Sequence, residues 1–114
     1  MKYMVLIAGS DEAWDALDAD TQRESLERAR GWWDEHTATG EILEGHQLQS
    51  ADTATTVRVS QAGDATVTDG PFVEGKEMVG GYGIIEVPDL DAAIRLVSSW
   101  PNQSTLEIRP VVVR

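Results

Sequence analysis

A chain of 114 residues with no cysteine has room for one domain's core and can form no disulfide, thiolate metal site or thiol nucleophile. Its 41% hydrophobic share and four tryptophans argue for a folded domain rather than a disordered chain. The formal charge of −11 repels a phosphate backbone, so no direct nucleic-acid partner is expected. The charge is uneven: residues 11–44 hold eleven acids against three arginines. That stretch suits a solubilising acidic face, with a basic protein partner as the sharper alternative. The apolar run at Met1–Ala8 is too short for a signal-peptide core or a bilayer crossing, and no later stretch approaches a span. No membrane association is expected, and a reducing cytoplasm is the expected location.

Tyr3–Ala8 is short and continuously apolar, which predicts a strand buried on both faces. Gly9-Ser10-Asp11-Glu12 breaks the pattern. A helix is then predicted over about 19–38, with Asp18 as N-cap or Thr21 and Glu24 as a capping box. Leu26, Ala29, Trp33 and His36 or Thr37 draw its buried stripe, and Gly40 suits the left-handed position that ends it. A strand is expected within 41–49. Residues 55–60 and 65–68 flank a Gln61–Asp64 turn as a hairpin. A loop over 69–80 leads to a strand at 81–87. Pro88-Asp89 opens a second helix with Leu90, Ala93, Ile94 and Val97 on one face, stopped by Pro101, and a last strand covers 106–113.

The order β-α-β-(ββ)-β-α-β is the split pattern of a ferredoxin-like α+β domain spanning residues 1–114. An antiparallel sheet would carry two helices on one face, with the hairpin as an insertion. The other sheet face is then left partly apolar and in need of cover, which a homodimer would supply.

The most informative stretch is Val67-Thr68-Asp69-Gly70-Pro71-Phe72 and its continuation to Tyr82. Asp69, Gly70 and Pro71 are turn formers, each for its own reason, and Phe72 is expected to anchor the corner in the core. Glu74, Lys76 and Glu77 follow closely. The segment resembles the signature of the DGPF proteins, a branch of the YCII-related superfamily. It is carried here by Val67 through Phe72, Glu74, Lys76, Glu77, Gly80, Gly81 and Tyr82. The opening Met1-Lys2-Tyr3-Met4, the Ala54–Arg58 strand, Val87–Ala93 and Glu107–Val111 extend the resemblance over nearly the whole chain. It implies a dimeric α/β-barrel type of ferredoxin-like fold. It further implies an active site around a His and Asp pair, action of a few relatives on chlorinated aromatic rings, and genes beside extracytoplasmic-function sigma factors. Relatives place a histidine directly before a glycine in the first helix. Here Arg30 precedes Gly31, and the nearest histidine is His36.

His36, Asp69 and Lys76 are the catalytic candidates: a general acid or base, its orienting carboxylate, and an ammonium for an anionic intermediate. Tyr3, Arg58, Phe72, Glu74, Tyr82 and Arg109 are the binding candidates, lining a cavity between the sheet and the 69–80 loop. His46 is a weaker candidate. Of the adjacent Trp32 and Trp33, one is expected in the core and the other, if exposed, at an interface. The two histidines have no metal-ligand spacing, and there is no phosphate-cradling loop or dinucleotide fingerprint, so neither metal nor cofactor is expected. Two functions fit: a small-molecule-binding or regulatory module with a sigma factor as partner, or a cofactor-free acid–base enzyme, lyase or dehydrochlorinase-like, acting on a small polar or aromatic compound.

Overall fold

A computed structural model describes residues 1–73 and 75–114. The first strand, β1 (Lys2–Gly9), buries Tyr3 and Val5 on one face and leaves Met4, Leu6 and Ala8 half-exposed on the other. Ser10 then caps a five-residue helix, α1 (Asp11–Asp15), by accepting a hydrogen bond from the Ala13 amide. Asp11 and Glu12 in its first turn suit the positive end of the helix dipole. This element falls where the sequence pattern shows only a break.

The long helix α2 (Ala19–Ala38) starts on Asp18, whose carboxylate accepts from the Thr21 amide at 2.7 Å. Gly40, with φ +84°, follows its end in the left-handed position anticipated for it. Its inner stripe is Gln22, Ser25, Ala29, Trp32, Trp33 and His36, and Leu26 stays 43% exposed. Thr37 is exposed as well. The expected stripe is therefore rotated, because two adjacent indoles both turn inward and take the space nearest the sheet. Trp33 lies over Gly45 and Gly83, and Trp32 meets Trp100 edge to face at 5.2 Å. Neither tryptophan is left over for an interface.

Helix α3 (Leu90–Ser98) is capped by the Asp89 carboxylate, which accepts from the Ala92 amide. It buries Ala93, Leu96 and Val97, while Leu90 and Ile94 are exposed. Here too the buried face is shifted by about one position from the expected one. The Trp32 indole N–H donates to the Ser99 hydroxyl at 2.8 Å, and Asn102 donates to the Ser25 carbonyl. Together these bonds tie the two helices.

Strands β2 (Ile42–Gln47), β5 (Met78–Glu86) and β6 (Thr105–Pro110) join β1 in a sheet of order β2-β5-β1-β6, antiparallel at every pairing. With the two longer helices packed on one face, this is the expected ferredoxin-like arrangement. β5 begins three residues earlier than expected, and β6 stops at Pro110 rather than Val113. The core is Tyr3, Val5, Trp32, Ile42, Ile85, Val87, Ala93, Leu96 and Val97. No described helix is long and apolar enough to cross a membrane.

The opposite sheet face has no cover among the described residues. The register puts Met4 and Leu6 beside Ile84 and Tyr82 there, with Glu44, His46, Glu107 and Arg109 toward the edges. β1 is thus buried on one face only, contrary to its continuous apolar pattern.

The hairpin β3 (Thr55–Val59) and β4 (Ala65–Asp69) forms a separate two-stranded sheet. Every residue in it except Thr56 is exposed. Gly63, with φ +94°, closes its turn and donates to the Ser60 carbonyl.

Candidate functional site

Asp69 ends β4 opposite Thr55, and the chain turns on Gly70 at φ +97°. The Gly70 N–H donates to the Ala54 carbonyl at 2.8 Å, and the Thr56 hydroxyl donates to the Gly70 carbonyl at 2.7 Å. Those two bonds lock the corner to the root of the hairpin. Pro71 is half-buried, but Phe72 does not enter the core. It is 70% exposed, with the Arg58 guanidinium 4.9 Å from its ring centre. A cation–π contact on the hairpin replaces the expected anchor.

Pro71 stands at the wall between two adjoining lobes of an open groove. The first, about 670 Å³, is mainly apolar and is lined by Leu48, Ala54, Val73, Met78 and Val79. The second, about 590 Å³, carries Asp11, Glu12, Asp52 and Lys76. Ala51, Pro71 and Met78 border both lobes. The floor is positioned by a single turn of 3-10 helix at Ala51–Thr53, capped by the Ser50 hydroxyl. The Asp11 carboxylate accepts from the Ser50 hydroxyl and the Ala51 amide, at 3.3 and 3.2 Å, binding that turn to the start of α1. The groove is open, and it combines an apolar lining with a few polar groups at one end, the chemistry from which small-molecule sites are built.

The sequence-derived candidates fall in different places. Lys76 lines the polar lobe, and Asp69 belongs to the corner beside the groove. Glu74 lies outside the described residues. His36 is elsewhere: its Nδ1 meets the Glu41 carboxylate at 2.9 Å, and its ring lies 5.0 Å from that of Trp32. The Thr39 hydroxyl donates to the same carboxylate. The hydrogen bond with His36, and then that from Thr39, hold the Glu41 carboxyl below its ordinary value. The Glu41 carbonyl accepts from the Glu86 amide, at the opposite end of β5 from Met78. Eight residues of strand separate those ends, about 26 Å. His36 is thus paired with Glu41 rather than brought to Asp69.

The remaining candidates are scattered. Tyr3 is in the core with its hydroxyl near the Met1 sulfur, and Arg58 is on the hairpin. Tyr82 and Arg109 lie on the uncovered sheet face, Tyr82 beside His46 at 5.9 Å and Arg109 paired with Glu107. Among the described residues no group of three or more histidines, aspartates or glutamates is arranged to hold a metal ion. Sequence patterning missed the apolar lobe, since Leu48, Ala54, Val73 and Met78 share no periodicity. The one available signal is Ser50 two residues before Asp52, a capping arrangement that marks the short turn.

Fold and groove together define a small ferredoxin-like α+β domain with a corner pocket beside an inserted hairpin. The YCII-related domain model matches residues 1–113, and the chain belongs to that family. It is also similar to an uncharacterised protein of Rhizobium meliloti, 26% identical over 117 residues, an alignment covering 99% of this chain and 94% of the other.

Proposed function

We propose that this protein is a small-molecule-binding module whose ligand lies in the groove at the Pro71 corner. The supporting observation is the adjacency of the two lobes: an apolar slot opening directly onto Lys76 and three carboxylates. Such a site takes a compound with an aromatic or aliphatic body and one polar end. Binding is favoured over acid–base catalysis because the histidine–carboxylate pair and the groove occupy opposite ends of the sheet, while general acid–base work needs hydrogen-bond reach or one bridging water.

The module acts as a homodimer closed across the uncovered sheet face, where Met4, Leu6 and Ile84 form an apolar strip on a chain otherwise rich in acid. It works in the cytoplasm, and the resemblance to DGPF proteins makes a sigma factor its natural regulatory partner. The ligand claim is tested by amide chemical-shift mapping with phenol, benzoate and benzylamine as probes. Shifts should cluster at Leu48, Ala51, Ala54, Val73 and Met78. Shifts confined to the sheet face or to the His36 end would defeat the groove, and the stronger of the two charged probes reveals the sign the polar lobe prefers.

A further inference from the structure

The hairpin projects from the body of the molecule. For 114 residues a radius of gyration of about 13 Å is ordinary, whereas this chain has 16.1 Å and extends 45 × 45 × 19 Å. Cross-strand pairing sorts the hairpin into two faces. Thr56, Arg58, Thr66 and Thr68 make one, and Thr55, Val57, Val59, Ala65 and Val67 make the other, with Asp69 at its base. The three valines of the second face are 55%, 68% and 65% exposed. A lone two-stranded hairpin is marginal in water, so an apolar face of this kind calls for cover. We propose that this hairpin is a dimerisation arm, and that its valine face lies against a second copy of the chain. The proposal rests on the dimer described above and says which part of the surface completes it.

Two observations select a second copy as the occupant. The first is charge: residues 55–68 carry one arginine and one aspartate, net zero, on a chain of −11. Copies so acidic repel one another, and the neutral arm is where they can approach at least cost. A basic partner would be drawn instead to the acidic stretch at residues 11–44, and a membrane would need a basic cluster that the arm lacks. The second is continuity: Val79 pairs with Ala8 on the uncovered face and also lines the groove with Val73 and Ala54. Apolar residues of the uncovered face thus lead to the root of the arm.

Sedimentation equilibrium separates the outcomes. Wild-type protein should be dimeric at micromolar concentration, and V57E combined with V67E should weaken the dimer at least tenfold. T66E combined with T68E, on the opposite face, should leave it intact. All four positions are exposed, and an unchanged far-ultraviolet circular dichroism spectrum verifies the fold of each variant. If the valine variant remains as dimeric as wild type while I84E dissociates, the arm proposal is wrong and the sheet-face dimer stands. A monomeric wild type overturns both.

Discussion

Trp33 shows how two glycines can decide the placement of a helix. A Cβ at Gly45 would lie 2.5 Å from the indole Cη2 and 2.7 Å from the Tyr82 carbonyl oxygen; at Gly83 it would lie 2.7 Å from the same indole carbon. The ring can yield, but the carbonyl is part of the ladder. Gly45→Ala should therefore destabilise the fold by about 1–3 kcal/mol, the usual range for overpacking, and Gly83→Ala by less. Urea denaturation measures both, and combining Gly45→Ala with Trp33→Leu should recover part of the loss. At the other end of the sheet, Glu41 is held below its ordinary pKa of 4.5 by His36 and Thr39. A carboxyl lowered in the folded state contributes stability that is present above its unfolded pKa and disappears as pH falls through the folded one. Wild-type stability should consequently drop more steeply than that of Glu41→Gln below about pH 4.5. The difference is small, since 37% of the side chain meets solvent. Parallel pH profiles from urea titrations would refute this assignment.

Among the elements, those with a strong local signal are the ones legible in the sequence. The capped ends of α2 and α3, the β-branched hairpin and the order of strands follow from capping chemistry and periodicity. Which face each helix buries does not. In α2 the choice is made by two indoles competing for the glycine patch and Trp100, a tertiary preference that turns Leu26 outward. The corner at Gly70 is visible as a turn, but the groove beside it depends on Asp11 reaching the Ser50–Ala51 turn across 39 and 40 residues, which no local pattern encodes. The tie between helices is likewise nonlocal. Ser99→Ala removes the acceptor of the Trp32 indole N–H and should cost about 1 kcal/mol, read as a lower urea midpoint, with Ser99→Thr restoring most of it. No change on Ser99→Ala would mean that water replaces the hydroxyl without loss.

As a whole, the molecule keeps its core, its uncovered sheet face and its groove in separate places. The helices and one sheet face hold the core, the groove lies at the root of the hairpin, and the other sheet face and the valine arm are the surfaces to which the proposal assigns association. Closing a dimer through the arm would bring a second copy near the groove without altering its floor, which is fixed by Asp11, the 3-10 turn and Pro71. The signature around Asp69 is, on this account, mainly architectural: Gly70 and Pro71 set the wall, and Lys76 supplies charge to the lobe beyond it. Ala51 borders both lobes, so Ala51→Trp would fill the groove while leaving the sheet untouched. The most direct measurement is a titration of benzoate and benzylamine followed by amide shifts, in wild type and in Ala51→Trp. The account predicts saturable shifts at Leu48, Val73 and Met78 in wild type and their loss in the variant. Equal shifts in both proteins, or none at Leu48, Val73 and Met78 in wild type at millimolar probe, would contradict it.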